Sequence, residues 1–293
     1  MESFPEYINI LNYLFVAVYI FSVALETTHA EIVAEFRDKR RMGLTLLANF
    51  VIVPIVGLTL VRALELRPEI RIGIMMLACS PGGLFALQFA RVSKGNRVFA
   101  VALLIVLTLL AVLITPLLLA WFFPERAAEG RVFGRLVLLL LLVIAVPYLM
   151  GRGMQRLIPE VAPKLGRFLG LLSIVIFIIA ALASSKYKRP AIETLGVDGI
   201  VAIVVLTIVS WVVGWLLGGP EIRNRKVLAI STAMRNFGVC FPLAATYFPG
   251  TEVLAPILAF SGISIPMNMV FALVTGRLLR DKEKNAEPMA ARS

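Results

Sequence analysis

The chain has 293 residues, of which 59% are hydrophobic and only 16% carry a charged side chain. A soluble domain carries about 25% charged residues, so this composition excludes an ordinary soluble protein and indicates a polytopic membrane protein. The formal net charge is +11. The basic residues are spread over short loops between apolar runs, which fits membrane topology and argues against a nucleic-acid partner.

Nine apolar segments are each long enough to cross a lipid bilayer as a helix. We therefore predict an all-α polytopic fold with one integrated membrane domain over residues 1–293, and a solvated tail at 281–293. The first segment is the shortest of the nine. The predicted spans are 9–26, 42–64, 70–91, 97–123, 132–157, 166–187, 197–218, 225–248 and 253–279.

The distribution of lysine and arginine between the loops predicts the orientation. The loops on one side, around residues 37–41, 91–97, 152–167 and 223–226, together with the C-terminal tail, hold about twice as many basic residues as the opposite loops. Because basic loops stay on the cytoplasmic side, we predict a multi-pass protein of the cell (inner) membrane, with its N-terminus outside and its C-terminus in the cytoplasm.

Enzyme chemistry has little support in the sequence. There is a single histidine, and neither a nucleophile-elbow motif nor a phosphate-binding loop is present. Cys79 and Cys240 lie in apolar segments without metal-ligand spacing, so we predict no metal and no cofactor. Cys79 can be a packed small residue or a soft-ligand thiol, and the second possibility leaves a metalloid carrier open.

Arg235 is the most informative residue of the chain. It lies ten residues beyond Arg225, which marks the polar entrance to its span. At about 1.5 Å per residue this places it roughly 15 Å inside a hydrophobic core about 30 Å thick. A cation at that depth is costly unless it has partners or faces a wet cavity, so Arg235 is a candidate functional residue. It can also be a purely structural tie.

Two spans are interrupted at corresponding places. The third contains Ser80, Pro81, Gly82 and Gly83, and the eighth has a glycine just after Arg235. The two spans cross in opposite directions and each precedes a span with an internal proline, which predicts an inverted repeat with two crossed, discontinuous helices. The polar residues expected along this crossing are Ser80, Gln88, Asn96, Ser231, Thr232, Asn236, Ser261, Ser264 and Asn268.

These two stretches resemble the motifs of the bile acid:sodium symporter family. Residues 78–83, followed by Lys94-Gly95-Asn96, are similar to the family's Cys-Cys-Pro-Gly-Gly run and its later Lys-Gly-Asn. Residues 230–238 are similar to the second motif, Ile-Glu-x-Gly-x-Gln-Asn-Ser-Gly. Asn49-Phe50, four residues before Pro54, resembles a Gln-Phe that precedes a proline in the family.

The resemblance implies a secondary transporter with a core domain and a panel domain. Substrate would bind between them, near the crossing, and would be a small organic anion, either bile-acid-like or a smaller carboxylate. The family often has ten spans, and we expect this chain to lack the first. Carried over, the core helices are 42–123 and 225–279, and the panel helices are 9–26 and 132–218.

The chain departs from the family at the positions that bind sodium. The family's Ser-Asn pair after the two glycines is Ala86 and Leu87, and its Ser and Thr in the next helix are Ala100 and Leu104. The glutamate of the second motif is Ser231, and its glutamine is Arg235. Because a sodium site needs several oxygen ligands, we expect both sites to be degraded and sodium coupling to be absent. No carboxylate lies near the middle of a span to couple protons instead; Glu26 and His29 lie at the cytoplasmic end of the first.

Two roles for Arg235 follow. Its guanidinium can bridge the crossed helices by donating to freed carbonyls, with Asn49 as a further partner, or it can face the substrate and clamp an anion. The leading hypothesis is an organic-anion transporter that works by alternating access without the usual sodium coupling. The alternatives are a metalloid or small-solute efflux carrier of the same fold, and a non-transporting membrane receptor or scaffold.

Overall fold

A computed structural model of the chain describes residues 6–27, 33, 35, 37–83, 85–122, 130–183, 185–248 and 251–278. Every regular element within these ranges is helical, which confirms the predicted all-α membrane fold. The predicted tail at 281–293 and His29 lie outside the described residues.

Eleven helices follow one another in the described ranges. Helix α2 contains a π-helical stretch, Ala48–Ile52, and helix α8 is kinked at Gly196. The helices are α1 (Glu6–Glu26), α2 (Lys39–Ala63), α3 (Pro68–Cys79), α4 (Ala86–Val92), α5 (Arg97–Phe122), α6 (Gly130–Leu157), α7 (Ala162–Ala183), α8 (Ser185–Leu217), α9 (Ile222–Ala233), α10 (Phe237–Tyr247) and α11 (Leu254–Leu278).

Five described helices, α2, α5, α7, α8 and α11, contain stretches that are both long and apolar enough to cross a membrane by themselves. Two of the remaining predicted spans are each built from two short helices, α3 with α4 and α9 with α10. The helices thus follow the predicted spans in order, while the total of nine membrane crossings stays a prediction.

Both interruptions occur where the sequence predicts them. Pro81 has no N–H to continue the hydrogen-bond ladder of α3, and Gly82 takes φ +88, a conformation that side chains with a Cβ rarely adopt. The second break falls at Met234, Arg235 and Asn236, between α9 and α10. A non-helical backbone at this depth must have its polar groups satisfied inside the protein.

The helices pack in two groups. Helix α1 packs most closely on α6 and α7, and these three form the panel group. The core group contains α2, α3, α4, α5, α9, α10 and α11. The predicted panel range 132–218 includes helix α8, whose most extensive contacts are with α9 and α11 of the core group. Gly214 permits that contact, since a Cβ there would lie 2.6 Å from backbone atoms of Ala229.

Candidate functional site at the helix crossing

The two chain breaks pair directly with each other through their backbones. The Gly83 N–H donates to the Met234 carbonyl at 3.0 Å, and the Asn236 N–H donates to the Ser80 carbonyl at 2.7 Å. These antiparallel bonds tie the third and eighth spans together in the buried interior. The crossing therefore satisfies, within the protein, backbone groups that a helix would otherwise pair.

Gly83 is required at this crossing by the closeness of the two backbones. A Cβ at Gly83 would lie 2.7 Å from the carbonyl oxygens of both Met234 and Arg235. At Gly82 a Cβ would lie 2.8 Å from the backbone nitrogen of Thr108, and the positive φ adds strain. The second glycine thus sets the separation of the two spans, and the first allows the chain to turn.

Arg235 is fully buried beside this pairing, and its three nitrogens donate five hydrogen bonds. Nε donates to the Leu77 carbonyl at 3.0 Å, and Nη2 donates to the Ala78 carbonyl. Nη1 donates to the Thr232 carbonyl at 2.7 Å and to the Asn49 side-chain oxygen at 3.4 Å. Nη2 also reaches the Asn49 carbonyl at 3.5 Å. A guanidinium has five N–H donors, so each has an acceptor.

The breaks explain why these carbonyls can accept from Arg235. In a continuous helix, the Leu77 carbonyl would take the N–H of residue 81, which is a proline; here it accepts from the Ser80 N–H at 3.1 Å and has a second lone pair for Arg235. The Ala78 carbonyl would take the N–H of Gly82, which has left the helix. The N–H that would reach the Thr232 carbonyl belongs to Asn236, and it donates to Ser80 instead. Arg235 therefore fills acceptor positions that the interruptions open.

The Asn49 contact depends on the π-helical stretch of α2. The Val53 N–H bonds the Ala48 carbonyl, five residues back, so the next bond in this pattern would join residue 54 to the Asn49 carbonyl. Residue 54 is a proline and has no N–H, which leaves that carbonyl for Arg235. The Asn49 amide nitrogen donates to the Thr45 carbonyl at 3.0 Å and to Thr232 Oγ1 at 3.3 Å, which orients its oxygen toward the guanidinium.

The charge of Arg235 is balanced by helix ends. It lies at the C-termini of α3 and α9, and each helix C-terminus carries roughly half a negative elementary charge. Together the two ends supply about one negative charge, which matches one guanidinium. Among the described residues, Arg235 forms no ion pair with a carboxylate. The two helix C-termini thus offset the charge of Arg235 in place of an acidic side chain.

Asn236 begins the second half of the crossing. Its side-chain oxygen accepts from the Val239 N–H at 3.2 Å and caps the N-terminus of α10. Its amide nitrogen Nδ2 is buried and has no acceptor in the described part of the chain. A free donor at the positive end of a helix is a suitable contact for an anion.

Aromatic rings lie where the broken helices face the panel group. Phe85 directly precedes α4, and Phe237 is the first residue of α10; their ring centroids are 5.9 Å apart. Phe85 also lies 5.1 Å from Phe15 of α1 and 3.9 Å from Phe177 of α7. These four rings fill the space between the core and panel groups at the level of the crossing.

The predicted degraded sodium positions differ in their surroundings. Ala86, Leu87, Ala100 and Leu104 are all buried in one hydrophobic cluster, so their methyl groups pack against apolar neighbours. Ser231 is buried in the last turn of α9, next to Thr232. Pro81 and Ser80 lie buried in the first break. These residues and Arg235 belong to one region around the crossing.

Asn268 lies apart from this group. Its amide nitrogen donates to the Ser264 carbonyl at 2.8 Å, and its oxygen accepts from the Trp211 indole at 3.0 Å. Thr207 Oγ1 contacts Ser264 Oγ at 3.5 Å. Asn268 therefore joins α11 to α8, and the structure does not bring it to the Arg235 contacts. In the sequence, a polar residue near a proline looks the same whether it lies at the crossing or between two packed helices.

From the sequence, Glu26 was predicted only to lie at the end of the first span. Its Oε2 accepts from Arg91 at 3.3 Å and from Arg97, so α1 of the panel group is joined to the core group by two ion pairs. The Glu26 side chain is only 4% exposed. Its partners lie at the end of α4 and the start of α5, in a basic stretch that the sequence was used only to orient in the membrane. An acidic residue at the end of a span that is followed by basic stretches was the available signal.

Comparison with known proteins now places the fold in a family. The family model described as the Sodium Bile acid symporter family matches residues 13–212. The chain belongs to the sodium bile acid symporter family. The matched segment ends within α8, so the second half of the crossing, with Arg235, lies beyond it.

Individual members of the sodium bile acid symporter family match over more of the chain. An uncharacterized sodium-dependent transporter, YocS, of Bacillus subtilis is 26% identical, over 84% of this chain and 78% of that protein. The human hepatic sodium/bile acid cotransporter is 22% identical, over 85% of this chain and 72% of its own length. The probable sodium/metabolite cotransporter BASS2 of Oryza sativa is 21% identical over 80% of this chain, which spans 56% of that relative.

Proposed function

We propose that this family member is a secondary transporter that moves an organic anion by alternating access and does not couple that movement to sodium. The observation that carries the second part is the hydrogen bonding of Arg235. The relatives of this chain are named as sodium-dependent transporters or sodium cotransporters. The chain would differ from them in the chemistry of one site.

Broken helices in membrane transporters bind cations with the carbonyls at their C-terminal ends. In this chain the guanidinium of Arg235 occupies the place of such a cation, because it donates hydrogen bonds to oxygens of Leu77, Ala78, Thr232 and Asn49. A sodium ion at the same place would compete for those oxygens and would meet a buried positive charge at close range. Sodium binding is therefore disfavoured by both ligands and charge.

The other predicted sodium position has lost its side-chain ligands. Ala86, Leu87, Ala100 and Leu104 offer no side-chain oxygen, and all four are buried in one hydrophobic cluster. Sodium needs several oxygen ligands to replace its hydration shell. The missing ligand atoms here and the guanidinium of Arg235 at the crossing both support the proposed absence of sodium binding.

An anionic substrate is supported by the N-terminal side of the crossing. The buried Nδ2 of Asn236 is an unused donor at the start of α10. Arg235 itself is saturated by protein acceptors, which favours the bridging role over the direct anion clamp. The rings of Phe85 and Phe237 add apolar surface next to that donor, which suits an organic anion with an apolar body.

The proposal includes the predicted orientation and the division into moving parts. The N-terminus lies outside and the C-terminus in the cytoplasm, and the core group moves against α1, α6 and α7. The crossing stays intact during this motion, because Arg235 holds it together through residues that all belong to the core.

Transport into proteoliposomes tests the proposal. Purified protein is reconstituted, and uptake of labelled taurocholate, benzoate and pyruvate is followed with sodium or choline as the only external cation. We expect at least one anion to enter at equal rates in both salts. Uptake that requires a sodium gradient would overturn the sodium-independent assignment. Binding of these anions without flux would instead indicate a receptor.

A further inference from the structure

We propose that Arg91 and Arg97 form a second anion-binding site, for a monocarboxylate, and that Glu26 occupies it as a tethered competitor. The inference rests on the proposed organic-anion transport and extends it to the end of the seam between α1 and α4. Here the seam means the region between Phe15, Tyr19, Val23 and Glu26 of α1 on one side and α4 with its flanking residues on the other.

Two contacts join α1 to residues at the two ends of α4. At the crossing, the Phe15 ring lies 5.1 Å from Phe85, just before α4. At the other end, Glu26 pairs with Arg91, in the last turn of α4, and with Arg97 at the start of α5. Tyr19 and Val23 of α1 and Phe89 and Ala90 of α4, which lie between these contacts in the chain, belong to one buried cluster. The seam therefore runs from the crossing to the arginine pair.

Three donors that lack acceptors belong to the helices around this seam. Asn236 Nδ2 is at the crossing, Gln88 Nε2 is one turn of α4 before Arg91, and the Tyr19 hydroxyl is two turns of α1 before Glu26. All three are buried and have no hydrogen-bond partner in the described part of the protein. Unsatisfied buried donors are costly, and a ligand with oxygen acceptors can satisfy them.

The arginine site carries more positive charge than Glu26 balances. Two guanidiniums face one carboxylate, and both of them bond Oε2, while the other oxygen, Oε1, is buried without a partner. Arg152 of α6 adds a third guanidinium nearby, where it donates to the Thr27 carbonyl. A site with this surplus attracts a second carboxylate, and the half-exposed Arg97 opens it to solvent.

The panel makes room for Glu26 with two glycines. A Cβ at Gly166 of α7 would lie 2.7 Å from Glu26 Cγ, and one at Gly170 would lie 3.6 Å from Glu26 Oε1. The acid is thus held by the panel while its charge is bound by the core. While Glu26 occupies the arginines, this end of the seam is closed. A carboxylate that takes its place releases α1 from α4 and opens that end.

Binding of benzoate to the full chain in phosphatidylcholine nanodiscs tests this site without anionic lipid. Because a tethered competitor acts at a high effective concentration, Glu26→Gln is expected to raise benzoate affinity about tenfold or more. Adding Arg97→Gln to that variant should abolish the gain. The matched control is Glu252→Gln, which removes an exposed ion pair with Arg67 that lies wholly within the core group.

Unchanged or weaker benzoate binding in Glu26→Gln would overturn the proposal, as would a gain that survives Arg97→Gln. If Glu26→Gln does not fold, Glu26→Asp withdraws the carboxylate by one methylene, and it must show a smaller gain in the same direction. Failure of the proposed function reads out separately, as absence of anion flux in wild-type proteoliposomes. A tenfold gain in binding without flux would leave the arginine site standing.

Discussion

At the scale of single residues, Arg235 is a structural cation that belongs to the protein itself. Its five donors match five acceptor contacts, and under the proposed function it takes the place of a diffusible sodium ion. Lysine at the same position would keep the charge but would offer only three donors on a compact ammonium. Charge alone therefore does not reproduce what the guanidinium does at the crossing.

Arg235→Ala is predicted to destabilise the protein by on the order of 3–5 kcal/mol, because several buried carbonyls lose their donor and two helix C-termini lose their counter-charge. Arg235→Lys should lie between the alanine variant and wild type. Thermal unfolding of the purified protein measures both. Arg62→Gln, at an exposed position of α2, is the control and should unfold at the wild-type temperature.

Asn236 separates the folding role of a residue from its role in anion binding. Asn236→Asp keeps an oxygen that caps α10 but replaces the free Nδ2 donor with negative charge. We expect the variant to unfold near the wild-type temperature while its affinity for a transported anion falls at least tenfold. Equilibrium binding of the labelled anion measures this. Wild-type affinity in the variant would exclude Asn236 from the substrate site.

At the scale of elements, the crossing depends on backbone approach more than on side chains. Gly83→Ala places a methyl group against two carbonyl oxygens that cannot move independently of the helix ends. We predict a loss of roughly 2 kcal/mol or more, seen as a lower unfolding temperature. Gly43→Ala, in α2, meets no atom within 4 Å and should cause no loss. Equal stability of the two variants would contradict this account of the crossing.

The sequence allowed the interrupted helices to be predicted because their causes are local. Pro81, Gly82 and a charge beside Gly238 are visible without any knowledge of neighbours. The partners of Arg235 were only partly accessible: Asn49 came from the family resemblance, whereas the Leu77 and Ala78 carbonyls required the chain to fold across itself. The π-helical stretch of α2 was missed, although Pro54 was its local signal.

Packing between distant helices could not be read from the sequence. Helix α8 was grouped with the panel by its place in the chain, and its contacts with α9 and α11 depend on Gly214 and on Asn268, which look like ordinary membrane-helix residues. Asn268 was expected at the crossing for the same reason. Polarity in a span indicates that a residue has a partner, but it does not identify which helix supplies it.

At the scale of the whole molecule, three sets of contacts have different roles. Arg235 holds the core together, the rings of Phe15, Phe85, Phe177 and Phe237 separate core from panel, and Glu26 joins the two groups at one end. Under the proposed function, only the contacts of the aromatic rings and of Glu26 change during transport. Substitutions at Arg235 should therefore lower stability, whereas substitutions at Glu26 should alter the balance between open and closed forms.

The most direct test compares wild type with the double variant Ser231→Glu and Arg235→Gln, which restores the family's two residues beside Asn49. The unfolding temperature of each is measured with sodium or choline as the only cation. A ligand that binds only the folded protein raises its stability by mass action. We predict no sodium effect on wild type and a sodium-specific rise in the double variant. Sodium-specific stabilisation of wild type would contradict the claim that Arg235 replaces the ion.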